Sequence, residues 1–315
     1  MIQDSFQDKV AKTLRFHTNK MVCSARGVYS NFFTIKADRP IFVVGCSRAG
    51  TTLVYKTISQ SPEMGTLNRE THDLWSQLNT LESRQWESHA LNVDHANPDD
   101  RKFITEYFYN KTGLTRFVDK NNQNGLCVEY LNALFPDAIF VYVKRNPGDN
   151  IHSLIEGWKR DDEYATWSNN LPVPVAISKG VYNRWCFFLF SGWRDFVNES
   201  IQVVCAEQYC AMNNALVNDL SNIQGDRVYE LKYEDILTDP VASFKSVFEF
   251  CDLSFSDELK GHCKTVLDRP YNAFSAIKSN KWLESGNAVI IRSVLSKTEE
   301  VADLMGYDLS DYSGL

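Results

Sequence analysis

The stretch PIFVVGCSRAGTT (40–52) decides how the rest of the chain reads. Four consecutive apolar residues, Ile41, Phe42, Val43 and Val44, form a buried strand pattern. Gly45, Arg48, Gly50 and the hydroxyls of Thr51 and Thr52 follow at once. LVYKTISQ (53–60) then places Leu53, Val54, Thr57 and Ile58 on one helical face. A strand, a tight loop and a helix N-terminus aim several backbone N–H groups and a positive helix end at one point. That arrangement cradles an anion, most often phosphate.

The loop is close to a Walker A loop and differs from it where the chemistry differs. That motif carries Lys immediately before its final hydroxyl residue, to hold the outer phosphates of a nucleoside triphosphate. Here Thr51 stands in that place, and the cation has moved inside the loop to Arg48. The cradle is kept; the triphosphate-and-magnesium arrangement is not.

Bulk properties bound the function class. The 315 residues suffice for one large domain or two modest ones, and 43% hydrophobic with 23% charged residues is ordinary for a soluble globule. A net charge of −7 argues against nucleic acid or heparin-like polyanions as the main partner. The polar start MIQDSFQDKVAKTLRFH (1–17) reads as neither signal peptide nor anchor, and no apolar run approaches the ~20 residues of a membrane span. The eight cysteines are scattered, without C-x-x-C or metal-finger spacing, as expected of reduced thiols in a cytoplasmic protein without a metal site.

Taken in order, residues 1–37 form a helical lead-in. Pro62 ends the first helix, and MGTL (64–67) is a candidate short strand running into NRETHDLW (68–75). This brings Glu70 and His72 to the C-terminal edge of the sheet, where open α/β folds keep their sites. His89 and His95 lie in a polar stretch and read as solvated loop histidines. TRFVDKNNQNGL (115–126) is a strand ending at Asp119–Lys120, and VEYLNALF (128–135) is a short helix. AIFVYV (138–143) is the second strongly apolar strand, ending on Lys144 and Arg145.

Asn146 is an N-cap and Pro147 a first helical residue, so a helix over 147–158 follows with Asn146, Asn150 and Ser153 along one face. Strand, cation, helix N-terminus and facing hydroxyl recur, which makes a second anion cradle. Residues 159–175 read as a lid or substrate loop. Two long helices, about 176–197 and 200–220, are expected next, the first with a core stripe of Trp185, Phe187, Phe188, Phe190 and Trp193. RVYELKYED (227–235) is a last strand presenting Tyr233. Asp239–Pro240 caps a helix buried through Phe244, Val247, Phe248 and Cys251. A loop (273–286) carrying Lys278 and Lys281 and a C-terminal helix to about Met305 complete one domain with a helical insertion over 159–222.

GCSRAGTTL, FVDKNN, FPDAIFVYVKRNPGDNIHSLIEGW, LKYEDILTDP, NKW and MGYDL, in this order across 40–307, resemble the sulfotransferases that use 3′-phosphoadenosine 5′-phosphosulfate (PAPS). The resemblance is to the bacterial and tyrosylprotein branches. It implies a P-loop-containing parallel sheet flanked by helices and a metal-independent transfer to a hydroxyl. It assigns Arg48, Ala49, Gly50, Thr51 and Thr52 to the 5′-phosphosulfate, and Arg145 and Ser153 to the 3′-phosphate. Tyr233 and Lys281 become further cofactor contacts, and Arg48 and Lys120 flank the transferring group. Glu70, followed by Thr71 as in the tyrosylprotein enzymes, is the expected general base, although one extra residue separates it from the loop; His72 is the alternative. An Arg that those enzymes carry after the helix Ser is Gly157 here, with Lys159 or Arg160 as possible replacements.

Two other classes share the opening motif. A P-loop kinase would need Lys at position 51 and a magnesium-binding Asp. A non-catalytic nucleotide-binding protein would be expected to lose Arg48, Lys120 or Glu70, and all three are present. Small molecules, carbohydrates and peptides all remain open as acceptors.

Overall fold

The computed structural model describes residues 6–160, 163–268, 271 and 277–310. Its centre is a four-stranded, all-parallel sheet in the order β2-β1-β3-β4, with β1 Ile41–Val44, β2 Val118–Asp119, β3 Ile139–Lys144 and β4 Val228–Lys232. β1 pairs with β2 at Ile41↔Val118 and with β3 from Ile41↔Ile139 to Val44↔Tyr142. β3 pairs with β4 from Phe140↔Val228 to Lys144↔Lys232. Every residue of β1 and β3 is buried, which is why both read as unbroken apolar runs.

Alternation along the strands divides the core in two. Phe42, Val44, Phe140 and Tyr142 face one layer, whose helices Pro98–Thr112, Val128–Leu134, Pro147–Trp158 and Ile201–Ser221 contribute Phe108, Leu131, Leu154 and Tyr209. Ile41, Val43, Val141 and Val143 face the other, filled by helices Thr51–Ile58 and Pro240–Phe250 through Leu53, Val54, Ile58, Phe244, Val247 and Phe248. Cys251, just past the second of these helices, is buried with them. Phe42 sits among Trp75, Phe117, Phe135 and Phe140 with ring centroids 5.8–6.2 Å away. Burying one such ring contributes about 1.5–3 kcal/mol.

Several expectations change. MGTL forms no strand: the chain meets the sheet edge at one residue, Gly65, bridged to Phe117. The expected helix over 176–197 is absent. Only the short turn Ile177–Gly180, with Ser178 and Lys179 left-handed, and the single turn Trp193–Phe196 are helical. Residues 185–190 run through the core with all six side chains buried, so the segment has no solvent face for an amphipathic helix. Its backbone is satisfied at a distance, Phe187 N–H by the Tyr164 carbonyl and Leu189 N–H by His89 Nδ1.

His89 is therefore a buried residue and not a solvated one. The C-terminal helix is split into Ala288–Leu295 and Glu299–Leu304. Of the 159–175 and 273–286 loops, residues 161–162 and 273–276 lie outside the described residues. All eight cysteines are free thiols, seven of them buried. No described helix is long and apolar enough to cross a membrane.

Candidate active site

A cavity opens at the C-terminal ends of β1, β3 and β4 and is lined by the 47–52 loop, Glu70, Lys120, Arg145, Ser153, Tyr233 and Lys281. The loop leaves β1 through Gly45 at φ 155, passes Arg48 at φ 69 and enters the helix Thr51–Ile58 at Gly50 with φ 106. Among the described residues no side chain caps that helix. Its first N–H groups have no carbonyl one turn back to bond, and the positive end of the helix faces the cavity. Ala49 turns into the core at 1% exposure and offers the cavity only its backbone.

Glycine at 50 is dictated by contact as well as by φ. A Cβ there would stand 2.4 Å from Cδ2 of Tyr233. Tyr233, the first residue past β4, is in turn covered by Arg145, whose guanidinium carbon lies 4.6 Å from the ring centroid. Arg145 donates from Nη1 to the Arg48 carbonyl at 2.6 Å. Its Nε, like Ser47 Oγ, is buried without a hydrogen-bond partner among the described residues. Two such orphans beside an open helix end fit an anionic ligand.

The second helix is built as its sequence requires. Asn146 accepts from the N–H groups of Gly148 and Asp149 as N-cap, and Pro147 is its first residue. Asn150 Nδ2 reaches back to the Ser47 carbonyl at 2.9 Å, tying this helix to the first loop. Ser153 Oγ accepts from Arg48 Nε at 3.4 Å, and Arg48 Nη1 donates to the Tyr164 hydroxyl at 3.2 Å. The two cradles read separately from sequence thus open into one cavity, joined by Arg48. Burial holds the Arg48 guanidinium below the ordinary arginine pKa, partly balanced by Tyr164 and reinforced by Arg145.

Asp149 fixes the NKW segment: its carboxylate accepts from the backbone N–H of Asn280 (2.7 Å) and Trp282 (3.1 Å). Trp282 packs over Gly148, where a Cβ would lie 2.4 Å from the indole Nε1. Lys281 is thereby set on the cavity wall. Burial first, then proximity to Arg145, brings its ammonium pKa down to about 8.

Lys120, just past β2 and 3% exposed, donates to Glu70 Oε1 at 2.6 Å and to Asn122 Oδ1 at 2.8 Å. An ammonium has three N–H groups, so one remains to aim at a ligand. The next residue back, Asp119, is fully buried and accepts from Thr71 Oγ1 (2.6 Å), Trp75 Nε1 (2.8 Å) and Asn124 Nδ2 (3.1 Å). Burial raises its pKa and those three donors lower it. Asp119 therefore pins residues 71–75, and with them Glu70, against β2.

Among the described residues, four cations and one carboxylate, Glu70, line this cavity in a chain of net charge −7. His72 does not line it. Its ring lies 6.1 Å from that of Trp167 in an adjoining cavity. Tyr164, Ser47 and Asn122 line the site without having been singled out in sequence, and Phe187, read there as part of a core stripe, lines it as well. Asn122, two residues past Lys120 in DKNN, was the one with a readable signal. Among the described residues no group of three or more His, Cys, Asp or Glu side chains could hold a metal ion.

The model of the Sulfotransferase family matches residues 40–257. No curated protein matches the sequence. Among solved structures, the chain is similar to the sulfotransferase STF9 from Mycobacterium avium at a TM-score of 0.53 and 13% identity, over 87% of this chain and 80% of that one. It is likewise similar to the sulfotransferase domain of the Synechococcus PCC 7002 olefin synthase at 0.53 and 16%, over 87% and 96%. At these identities the structures show a common fold. The family match, extending from the first strand to beyond the last one, shows that the chain belongs to the sulfotransferase family.

Proposed function

We propose that the chain transfers the sulfuryl group of PAPS to a hydroxyl of an acceptor, with Glu70 as general base. The observation that carries this is the Glu70–Lys120 pair, held 2.6 Å apart on the wall of a cation-lined cavity with an uncapped helix N-terminus. PAPS, when bound, supplies an activated sulfuryl group on a good leaving group and carries anions at both ends. The uncapped helix end, Ser47, Thr51 and Thr52 suit its 5′ end. Arg145, Ser153 and Lys281 suit a second phosphate, and Tyr233 offers a ring beneath Arg145.

Glu70 Oε1 accepts from Lys120, which leaves Oε2 to take the acceptor's proton. The third N–H of Lys120 and the Arg48 guanidinium neutralise charge as it gathers on the bridging oxygen. A sulfuryl group bears less charge than a phosphoryl group, so fixed cations serve in place of the Walker lysine that Thr51 replaces.

Calorimetry with 3′-phosphoadenosine 5′-phosphate, with ATP–magnesium as comparison, tests the reading. The bisphosphate is expected to bind, and Arg145→Ala to lose most of that affinity. ATP binding with no response to the bisphosphate would favour a P-loop kinase instead.

A further inference from the structure

A second cavity adjoins the first and takes neighbouring residues from the same segments. Glu70, Lys120, Asn122 and Tyr164 face the first, whereas His72, Asn121, Gln123 and Trp167 face the second. The second is walled by aromatic rings. Trp75 and Tyr130 meet edge to face at 6.2 Å, and His89 and Trp167 at 5.0 Å.

Its polar groups are unusual in kind. His89 is 7% exposed, and its Nδ1 accepts from the Leu189 N–H at 2.8 Å. That bond puts the ring proton on Nε2, which is buried without a partner among the described residues. Arg84 donates from Nη1 to the Ala90 carbonyl at 2.8 Å, and among the described residues its Nε, itself buried, has no partner. Among the described residues no carboxylate comes within 4.0 Å of the Arg84 guanidinium, and no Asp or Glu lines the cavity. Two of the other polar groups are occupied: the Tyr130 hydroxyl bonds Asp100 at 2.7 Å, and Asn124 bonds Asp119.

A half-buried cation without a nearby counter-charge and a buried N–H without an acceptor each leave a folded chain less stable than the same group paired. Aromatic rings together with two unpartnered N–H donors, one of them on a cation, suit a planar anion. We propose that this cavity binds the acceptor and selects a small hydroxy-aryl carboxylate, its ring between Trp75 and Trp167 and its carboxylate on Arg84 and His89. Its hydroxyl then lies toward the first cavity and the segment that carries Glu70, the proposed base. The inference rests on the sulfotransferase reading given above.

Burial drives the His89 pKa down to about 3, so the ring stays neutral and its Nε2–H remains a donor at physiological pH. It contributes a directed hydrogen bond, and Arg84 contributes the charge. A purely structural role for both residues, with the imidazole N–H set against the Trp167 ring, predicts no preference for a negative ligand.

The test is calorimetry on the full chain saturated with 3′-phosphoadenosine 5′-phosphate, titrated with 4-hydroxyphenylacetate and with its methyl ester. The acid is expected to bind about ten- to a hundredfold more tightly than the ester, the worth of a charge-assisted hydrogen bond. Arg84→Met should erase that difference and leave the bisphosphate affinity unaltered. Equal binding of acid and ester to the unmodified chain overturns the proposal, and so does binding of neither to a chain that has bound the bisphosphate. Because the acid–ester comparison needs no variant, a failure of Arg84→Met to fold would not protect the idea. Absence of bisphosphate binding would instead overturn the underlying reading, and this inference with it.

Discussion

Replacing Gly50 by alanine tests the architecture of the anion loop, because two separable penalties fall on one methyl group. The first is conformational: Gly50 has φ 106, and an L-residue held at such an angle costs about 1–2 kcal/mol. The second is steric. The new Cβ would stand 2.4 Å from Cδ2 and 2.6 Å from Cε2 of Tyr233, against ~3.5–4.0 Å for ordinary carbon contact. The ring must shift by more than about 1 Å, an overpacking of about 1–3 kcal/mol. Gly180 supplies the control: its φ is +87, yet a Cβ there meets nothing within 4 Å. Gly180→Ala should show the conformational penalty alone.

Urea unfolding of both variants should therefore find Gly50→Ala the less stable by about 1–3 kcal/mol. Since Arg145 rides on the displaced ring, the Gly50 variant should also lose roughly tenfold or more in affinity for 3′-phosphoadenosine 5′-phosphate. Equal stabilities for the two variants, with unaltered nucleotide affinity in Gly50→Ala, would refute the claim that Tyr233 and the loop are locked by contact.

Glu70→Gln keeps the shape of the site and removes the base. Turnover should fall by about 10²–10⁴ while bisphosphate affinity holds, and unchanged turnover in a steady-state assay would move the base elsewhere. Asp119→Ala leaves three buried donors without an acceptor, each worth about 1–3 kcal/mol; a marked loss of unfolding free energy in denaturant titration is expected, and wild-type stability would contradict the pinning role. Lys281 gives a pH signature. Its folded pKa of about 8 lies below the ordinary lysine value, so the charged form that grips an anion is lost as pH rises through 8. Bisphosphate affinity should decline from pH 7 to 9.5 in the wild type and stay flat over that range in Lys281→Met. The folded state also binds fewer protons here than the unfolded chain, so this lysine alone makes stability rise with pH between about 8 and 10.5.

What the sequence disclosed and what it concealed follow from the reach of the forces involved. β1, β3, the loop between Gly45 and Thr52 and the Asn146–Pro147 helix start are governed by neighbours within a few residues, and all were readable. Residues 185–190 were not. Their aromatic density suggests a helix with a buried stripe, but a segment buried on every side has no stripe, and its backbone partners lie at Tyr164 and His89. His89 sits in a polar stretch of sequence, and only the return of residue 189 to its ring, 100 positions later, takes it out of water. The same holds for Glu70 and His72. They are separated by one residue, yet Thr71 bonding to Asp119 turns them toward different cavities. The site's cations could be identified one by one; that Arg48 joins both cradles could not, because Ser153 is 105 positions away.

The bond from Arg145 to the carbonyl of Arg48 has a thermodynamic consequence. It fastens the peptide that follows a left-handed residue to a guanidinium whose other face is offered to ligand. An anion that draws Arg145 toward itself must therefore also load that peptide, and an anion seated on the loop must bias where Arg145 rests. Binding free energies at the two ends are then coupled, and coupling is reciprocal: each end changes the affinity of the other by the same factor. A nucleotide with anions at both ends would engage the two together, whereas its separate halves would each report on the other's presence.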